Sequence, residues 1–160
     1  MDIKAVEIKI PDGCNIIFGH SHFIKTAEDL YEVMVNSNPN AKFGIAFSEA
    51  SQDCLVRTEG NDADLTKLAA DTIMDIGCGH SFIIFLKDAF PINFLPAIKN
   101  VPEIVRLYCA TANPVQVIVT RNEMGGAVLG VIDGLPPKGI EDDKHKQVRH
   151  KFLRDIGYKL

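Results

Sequence analysis

At 160 residues the chain has the length of one domain, 1–160, long enough to bury a core without disulfide staples. Hydrophobic residues at 46% and charged residues at 24% exclude disorder as the main state. Seventeen basic against 21 acidic side chains give a net charge of −4, which excludes an unspecific nucleic-acid binder or a basic membrane-surface protein and leaves only a local basic patch open.

Charges run through the first ten residues, where a signal peptide would need an apolar stretch. The longest uninterrupted apolar run, residues 82–86, is far short of the roughly 20 residues that span a bilayer. A soluble, cytoplasmic protein with no membrane or nucleic-acid partner is predicted. Cys14, Cys54, Cys78 and Cys109 are dispersed with no C-x-x-C pair, and they read as buried thiols rather than a disulfide framework or a zinc site.

In chain order, alternating apolar positions at Val6, Ile8 and Ile10 and again over 14–18 flank the turn signal Pro11-Asp12-Gly13, which predicts an opening β-hairpin. From Thr26 the period becomes helical: Ala27, Leu30, Tyr31 and Met34 share a face, Thr26 can cap, and Glu28 and Asp29 suit the positive end of the helix dipole. Strands follow over 42–50 and 54–59. Asn61 or Asp62 then caps a helix with the stripe Leu65, Leu68, Ala69, Thr72, Ile73 and Ile76, stopped by Gly77. The second half predicts a strand over 80–87, a short helix over 93–100 with Asn93 as cap, and strands over 104–110, 115–121 and 127–132. A final helix over 142–156 is expected to bury Val148, Phe152 and Ile156 and to end at Gly157.

Gly19-His20-Ser21 is echoed at Gly79-His80-Ser81, and the block at 46–51 by the block at 108–113, at nearly one offset. That suggests an internal duplication of halves at about 14–77 and 78–157. The fold class expected is α+β: a mixed, largely antiparallel sheet with covering helices.

Common nucleotide and hydrolase signatures are absent: no G-x-x-x-x-G-K-[ST], no G-x-G-x-x-G after a strand, no H-E-x-x-H, no G-x-S-x-G. Polar residues gather instead where strands end. His22, Lys25 and Thr26 run from a strand end into a helix start, where free amides and a lysine suit a phosphate or form an ordinary cap. Glu49 and Asp62 suit oxygen-ligand work on magnesium or a hydroxyl, although Glu49 and Arg57 also read as a cross-strand ion pair. Ala110-Thr111-Ala112-Asn113 offers small residues beside an amide, fit for a flat ring or a plain turn, and Asp133 is a turn acceptor or an active-site acid. His20 and His80 lack further ligands at metal-site spacing, so no metal site is assigned. The basic residues of the last helix read as a solvated face.

These blocks, together with Phe43-Gly44, Glu49-Ala50-Ser51 and Leu129-Gly130-Val131-Ile132-Asp133-Gly134, resemble the prokaryotic adenosine-specific kinase family over nearly the whole length. The resemblance implies a nucleoside-binding α+β fold, homo-oligomers, and phosphorylation of adenosine to AMP by ATP with Mg2+. On that reading Lys25, Thr26 and Arg57 meet phosphate, Glu49, Asp62 and Asp133 orient a metal or hydroxyl as the catalytic set, and His22, Ser51 and Asn113 contact ribose or base. The nucleoside is expected where 48–51 and 110–113 approach each other. The family tends to carry Gly-Arg-Gly where this chain has Gly125-Gly126-Ala127, so Lys25 or Arg57 would have to replace that arginine's phosphate contact. A non-catalytic AMP or adenosine sensor is the alternative, and a phosphoesterase a third reading.

Overall fold

The computed structural model describes residues 2–160. Among them, β1 (Ile3–Ile8), β7 (Val115–Asn122) and β8 (Gly125–Asp133) form a three-stranded sheet in the order β1-β7-β8. A five-stranded sheet in the order β4-β3-β5-β2-β6 is built from β2 (Cys14–Ser21), β3 (Lys42–Ser48), β4 (Val56–Gly60), β5 (Ser81–Lys87) and β6 (Ile104–Thr111). Every pairing is antiparallel, so the expected α+β class holds and the sheets contain no parallel ladder.

The larger sheet is covered on both faces. On one, Ile17, Phe43, Ile45, Phe47, Phe82, Ile84 and Leu86 pack against Leu30 and Met34 of α1 (Thr26–Ser37) and against Phe94 and Ile98 at the short α3 (Leu95–Lys99). On the other, Ile16, Phe18, Ala46, Ile83 and Phe85 meet α2 (Ala63–Ile76) through Leu65, Ala69, Ile73 and Ile76, and meet the small sheet through Ile8, Val115, Val117 and Val119. Two wet-free faces explain why β3 and β5 read as unbroken apolar runs and not as alternating strands. No helix of the described residues is long and apolar enough to cross a membrane.

The turn at Pro11-Asp12-Gly13 forms, with the Cys14 amide donating to the Pro11 carbonyl at 3.0 Å and Gly13 at φ +78°. It does not join a hairpin. β1 pairs with β7, and β2 runs between β5 and β6 in the other sheet. The physical reason is burial: β2 has apolar side chains for both faces and belongs mid-sheet, whereas β1 has one inward row and suits an edge.

Helix α2 matches its expected ends. Asp62 Oδ1 accepts from the Leu65 amide at 3.0 Å, Gly77 closes the helix in the left-handed region at φ +58°, and Arg121 donates to the Asp75 and Ile76 carbonyls at 2.7 and 2.8 Å. Helix α1 differs. Thr26 is its first residue, Lys25 holds the cap position without a side-chain bond, and the buried Thr26 hydroxyl pairs with the Phe23 carbonyl and, at 2.6 Å, with Ser21 Oγ. A buried hydroxyl cannot be left unpaired cheaply, and here the core supplies the partner. Asn93 likewise ends a 3-10 turn at Pro91–Asn93, and Phe94 precedes α3 with Pro96 in its first turn. The last helix, α4 (Asp143–Asp155), buries none of its residues; Val148, Phe152 and Ile156, expected in the core, are exposed.

The duplication is not shown. Gly19-His20-Ser21 closes β2 ahead of a helix, whereas Gly79-His80-Ser81 opens β5 behind one, and the two strands run antiparallel.

Close approach of α2 to the sheet depends on Gly44, where a Cβ would lie 2.1 Å from the Thr66 amide nitrogen and 2.2 Å from the Leu65 carbonyl carbon. Both neighbours are backbone and cannot swing aside. Gly44→Ala should therefore lower the unfolding free energy by about 2 kcal/mol or more in urea titration. An unchanged midpoint would mean that α2 does not rest on β3 in solution.

Candidate functional site

Chemistry-bearing residues collect at the end of the larger sheet where β2 and β3 stop and β5 begins. Three segments are tied there by backbone: the Ser21 amide donates to the His80 carbonyl at 2.9 Å, and the His80 amide donates to the Ser48 carbonyl at 2.8 Å. His80 is held at φ +62°, a conformation that non-glycine residues adopt rarely and that is concentrated at functional sites. Its ring stacks on Phe47 at 5.7 Å and lies 6.2 Å from the ring of His20. His20 itself pairs with Ser81 on one side and Arg106 on the other.

Strand β6 reaches this corner through two irregularities. Between the pairs Ser21 with Ile104 and His20 with Arg106, Val105 is an extra residue; between Gly19 with Leu107 and Phe18 with Cys109, Tyr108 is another. Bulges re-aim side chains, and the Tyr108 ring lands on Phe18 at 5.2 Å.

Beside these residues lies a cavity of about 320 Å³ lined by His20, Gly79, Arg106 and Tyr108 with Gly126, Ala127 and Val128 of β8. A second, of about 490 Å³, is lined by Ser48, Glu49, Ala50 and Cys54 and shares Gly79 and Gly126 with the first. The two flank Gly79 as one cleft, of a size that suits a small organic ligand. Gly79 packs closely on the Ala50 side, since a Cβ there would come 2.8 Å from the Ala50 Cβ.

The cleft's electrostatics are mixed. Burial, then the neighbouring His80 and Arg106, lowers the His20 pKa from its ordinary 6.5, so the ring is neutral at pH 7. Glu49 accepts from the Leu55 amide at 3.1 Å and from Arg57 Nη2 at 2.9 Å, and that backbone bond followed by the arginine holds its carboxyl below the usual range despite partial desolvation. Burial pushes the Tyr108 phenol up, so it stays protonated and able to donate.

The structure brings some of the sequence-predicted residues to this end and separates others. Glu49 lines the cleft, Arg57 binds it as the cross-strand ion pair that the sequence also allowed, and Ser51 is exposed in the loop that follows. His22, Lys25 and Thr26 stand at the same sheet end but line neither cavity: the Ser21–Thr26 hydroxyl pair points to the α1 side. Lys25 Nζ lies 3.1 Å from Asp29 and 3.7 Å from Glu103, and the exposed His22 uses its amide on the Glu103 carbonyl at 2.8 Å. Glu103 is buried with no hydrogen-bond partner on either carboxylate oxygen; burial raises its pKa, with Asp29 adding to the rise and Lys25 offsetting part of it.

Asp62, Asn113 and Asp133 do not join the cleft. Asp62 is the α2 cap, at the end of the sheet where Gly60 pairs with Gly44. Asn113 Nδ2 donates to Asp133 Oδ1 at 3.1 Å in a turn beyond β6. Because β6 runs antiparallel to β2, with Thr111 beside Ile16 and Arg106 beside His20, residues 110–113 lie at the opposite end of the sheet from 48–51, and the expected meeting of these segments does not occur. Arg106 and Tyr108 are cleft residues that the spacing did not single out. The available signal was an arginine and a tyrosine inside an otherwise apolar strand. Among the described residues no group of three His, Cys, Asp or Glu is placed to hold a metal ion.

The sequence matches the family model described as "Adenosine specific kinase" over residues 6–159. The chain belongs to the adenosine-specific kinase family. Among solved structures it is similar to the PH1918 protein from Pyrococcus horikoshii OT3, with 43% identity, 99% of this chain and 98% of that chain covered, and a TM-score of 0.95. No curated protein matches the chain at a significant level. His20, Glu49 and Ala50 line the cleft, whereas Asn113 and Asp133 pair far from it.

The depressed His20 pKa has a measurable sign. Between the lowered value and the ordinary 6.5, the unfolded chain binds more protons at this ring than the folded one. The stability it contributes is complete above that window and is lost as pH falls through it. Two-dimensional NMR should show His20 titrating below the ordinary 6.5, and a midpoint at or above 6.5 would remove the half-buried setting beside His80 and Arg106 argued for it.

Proposed function

We propose that the protein phosphorylates adenosine to AMP with ATP as donor, with the nucleoside in the cleft around Gly79. The observation that carries this reading is family membership over residues 6–159, in a chain with a ligand-sized cleft lined by His20, Arg106, Tyr108 and Glu49. The first cavity, about 320 Å³, is of a size for the purine, and the Tyr108 hydroxyl supplies a donor for it. The transfer joins the adenosine 5′ oxygen to the γ-phosphorus and breaks the bond to the β-phosphate oxygen, and the hydroxyl proton must leave. Neutral His20 is the group able to take that proton, directly or through water. Arg106 lies where positive charge would stabilise the transferring group, which is most of what such a reaction asks of a protein.

Magnesium fits as an ion held mainly by the nucleotide's phosphates, because Glu49 is a lone carboxylate in the cleft lining and no protein cage is present among the described residues. Bound in that way it would neutralise phosphate charge. Asp62, Asn113 and Asp133 act in folding, and Lys25, Thr26 and His22 form a second polar group across the sheet end. The free cysteines and the need for ATP favour a cytoplasmic setting.

Purified protein given adenosine and Mg-ATP should form AMP and ADP in equal amounts, read by chromatography. Arg106→Ala should weaken AMP about tenfold, roughly 1.4 kcal/mol, and adenosine much less, because only AMP presents a phosphate. Lys25→Ala should change AMP binding little; a larger loss there than at Arg106 would move the phosphate to the α1 side. Tight AMP binding with no product across divalent metals would make the protein a sensor, and phosphate release from AMP would make it a phosphoesterase.

A further inference from the structure

The two halves of the cleft differ in what they can recognise. The first cavity presents directed polar groups, with neutral His20, the Arg106 guanidinium and the Tyr108 hydroxyl in its wall, so a ligand there is read by its hydrogen-bonding edge. The second cavity is built otherwise. Its side chains are chiefly Ala50, Cys54, Val56, Ile73, Met74 and Met124, and the glycines that complete it add none. Among the described residues of that lining, Ser48 and Glu49 alone carry side-chain oxygen, and Glu49 already spends Oε2 on the Leu55 amide and on Arg57.

The apolar wall is also adaptable. It is assembled from the β3–β4 loop, from α2 and from the tip of the β7–β8 hairpin, and its two methionines, Met74 and Met124, are 67% and 96% exposed. Unbranched thioethers held so loosely can follow ligands of different outline, and methionine-rich surfaces are a common means of tolerant binding. Telling one base from another needs the opposite construction. A site that hydrogen-bonds a particular group rejects an analogue lacking it by about 10⁴-fold, because its own polar groups are left unpaired, whereas an apolar pocket separates ligands of similar size by about 10- to 200-fold.

We propose that the second cavity holds the base and ribose of the phosphoryl donor and takes nucleoside triphosphates of any base, so that base specificity lies with the acceptor alone. This inference rests on the reading of the first cavity as the acceptor site. The cavities share Gly79 and Gly126, so a donor in the second can present its γ-phosphorus across that boundary to Arg106 and His20. Glu49, the one charged side chain among the described residues of the second lining, then meets the magnesium that the triphosphate carries. The reaction balances for every donor. The bond from the γ-phosphorus to the β-phosphate oxygen breaks, the bond to the adenosine 5′ oxygen forms, and the hydroxyl proton leaves through His20, giving AMP and the donor's own diphosphate.

Purified protein given adenosine with ATP, GTP, CTP or UTP, each with magnesium, should form AMP with kcat/KM values within about 30-fold of one another, and a larger preference for ATP overturns the proposal. Met74→Ala with Met124→Ala, both exposed positions, should raise the donor KM severalfold for all four triphosphates and leave the adenosine KM unchanged. A rise for ATP alone, or an equal rise for adenosine, overturns it. Calorimetry with the β,γ-imido analogues of ATP and GTP at saturating adenosine separates this inference from the catalytic reading. Absence of AMP with every donor sinks that reading, yet binding of both analogues within about 30-fold of each other, with shifts of the Met74 and Met124 methyl signals in NMR, still supports a base-indifferent second cavity. Binding of the ATP analogue alone, or of neither, overturns it.

Discussion

Burial of both faces of the five-stranded sheet is the constraint on which the molecule depends. β2, β3 and β5 occupy its middle, and each fully buried Ile or Phe there contributes roughly 1.5 to 3 kcal/mol relative to exposure. Close approach is the condition. Gly44 lets α2 reach β3, and Gly19 leaves space that Phe82 fills. Such a sheet has no interior position for a charged or hydrogen-bonding group, since both sides are dry. Polar chemistry is displaced to the strand ends, and His20, Ser21, Ser48, His80 and Arg106 meet at one of them for that reason.

The same end carries two polar groups on opposite faces. Toward α1, Ser21, Thr26, Lys25, Asp29 and Glu103 form a cluster under the first helical turn, with the Ser21 hydroxyl also donating to the Glu103 carbonyl at 3.0 Å. Toward α2 and the small sheet lies the cleft. His80, stacked on Phe47 and tied by its backbone to Ser48 and Ser21, is the wall between them. Its strained backbone is fixed by those two hydrogen bonds, so a change at Ser48 or Ser21 would reach both faces. A rigid wall of this kind suits a site that must hold a small ligand in one orientation.

What the sequence made legible follows local physics. The helix at 63–76 was visible with a cap at Asn61 or Asp62, of which the structure uses Asp62, and with its Gly77 stop, because capping is decided within a few residues, and the Glu49–Arg57 pair because cross-strand neighbours in a hairpin are close in sequence. Partner choice between distant strands was not. Pro11-Asp12-Gly13 fixes a reversal of the chain but not which strand lies beside it, so the expected hairpin became a change of sheet. Strand direction also decided the site. Residues 48–51 and 110–113 look alike as strand ends, and antiparallel pairing puts them at opposite ends. Tyr108 and Arg106 were hidden by the two bulges, which break the alternation that a strand reading relies on. The stripe on α4 is readable, but periodicity cannot say whether it faces its own core or another chain.

Gly126 sets how closely the β7–β8 hairpin seats on α2. A Cβ at this position would lie 2.4 Å from the Gly77 carbonyl oxygen and 2.9 Å from Cys78 Sγ, so the tip of the β7–β8 hairpin rests directly on the end of α2. A side chain as large as arginine at 126 would require the tip to stand off by more than a few tenths of an ångström. That would widen the cleft between Gly79 and β8. With glycine the hairpin closes down, and Arg121, paired with Gly126 across the hairpin, is anchored on the Asp75 and Ile76 carbonyls and cannot swing into the cleft without uncapping α2. Positive charge in the cleft lining then comes from β6, through Arg106. The tight seating of the hairpin therefore leaves Arg106 as the cation against His20 and Tyr108.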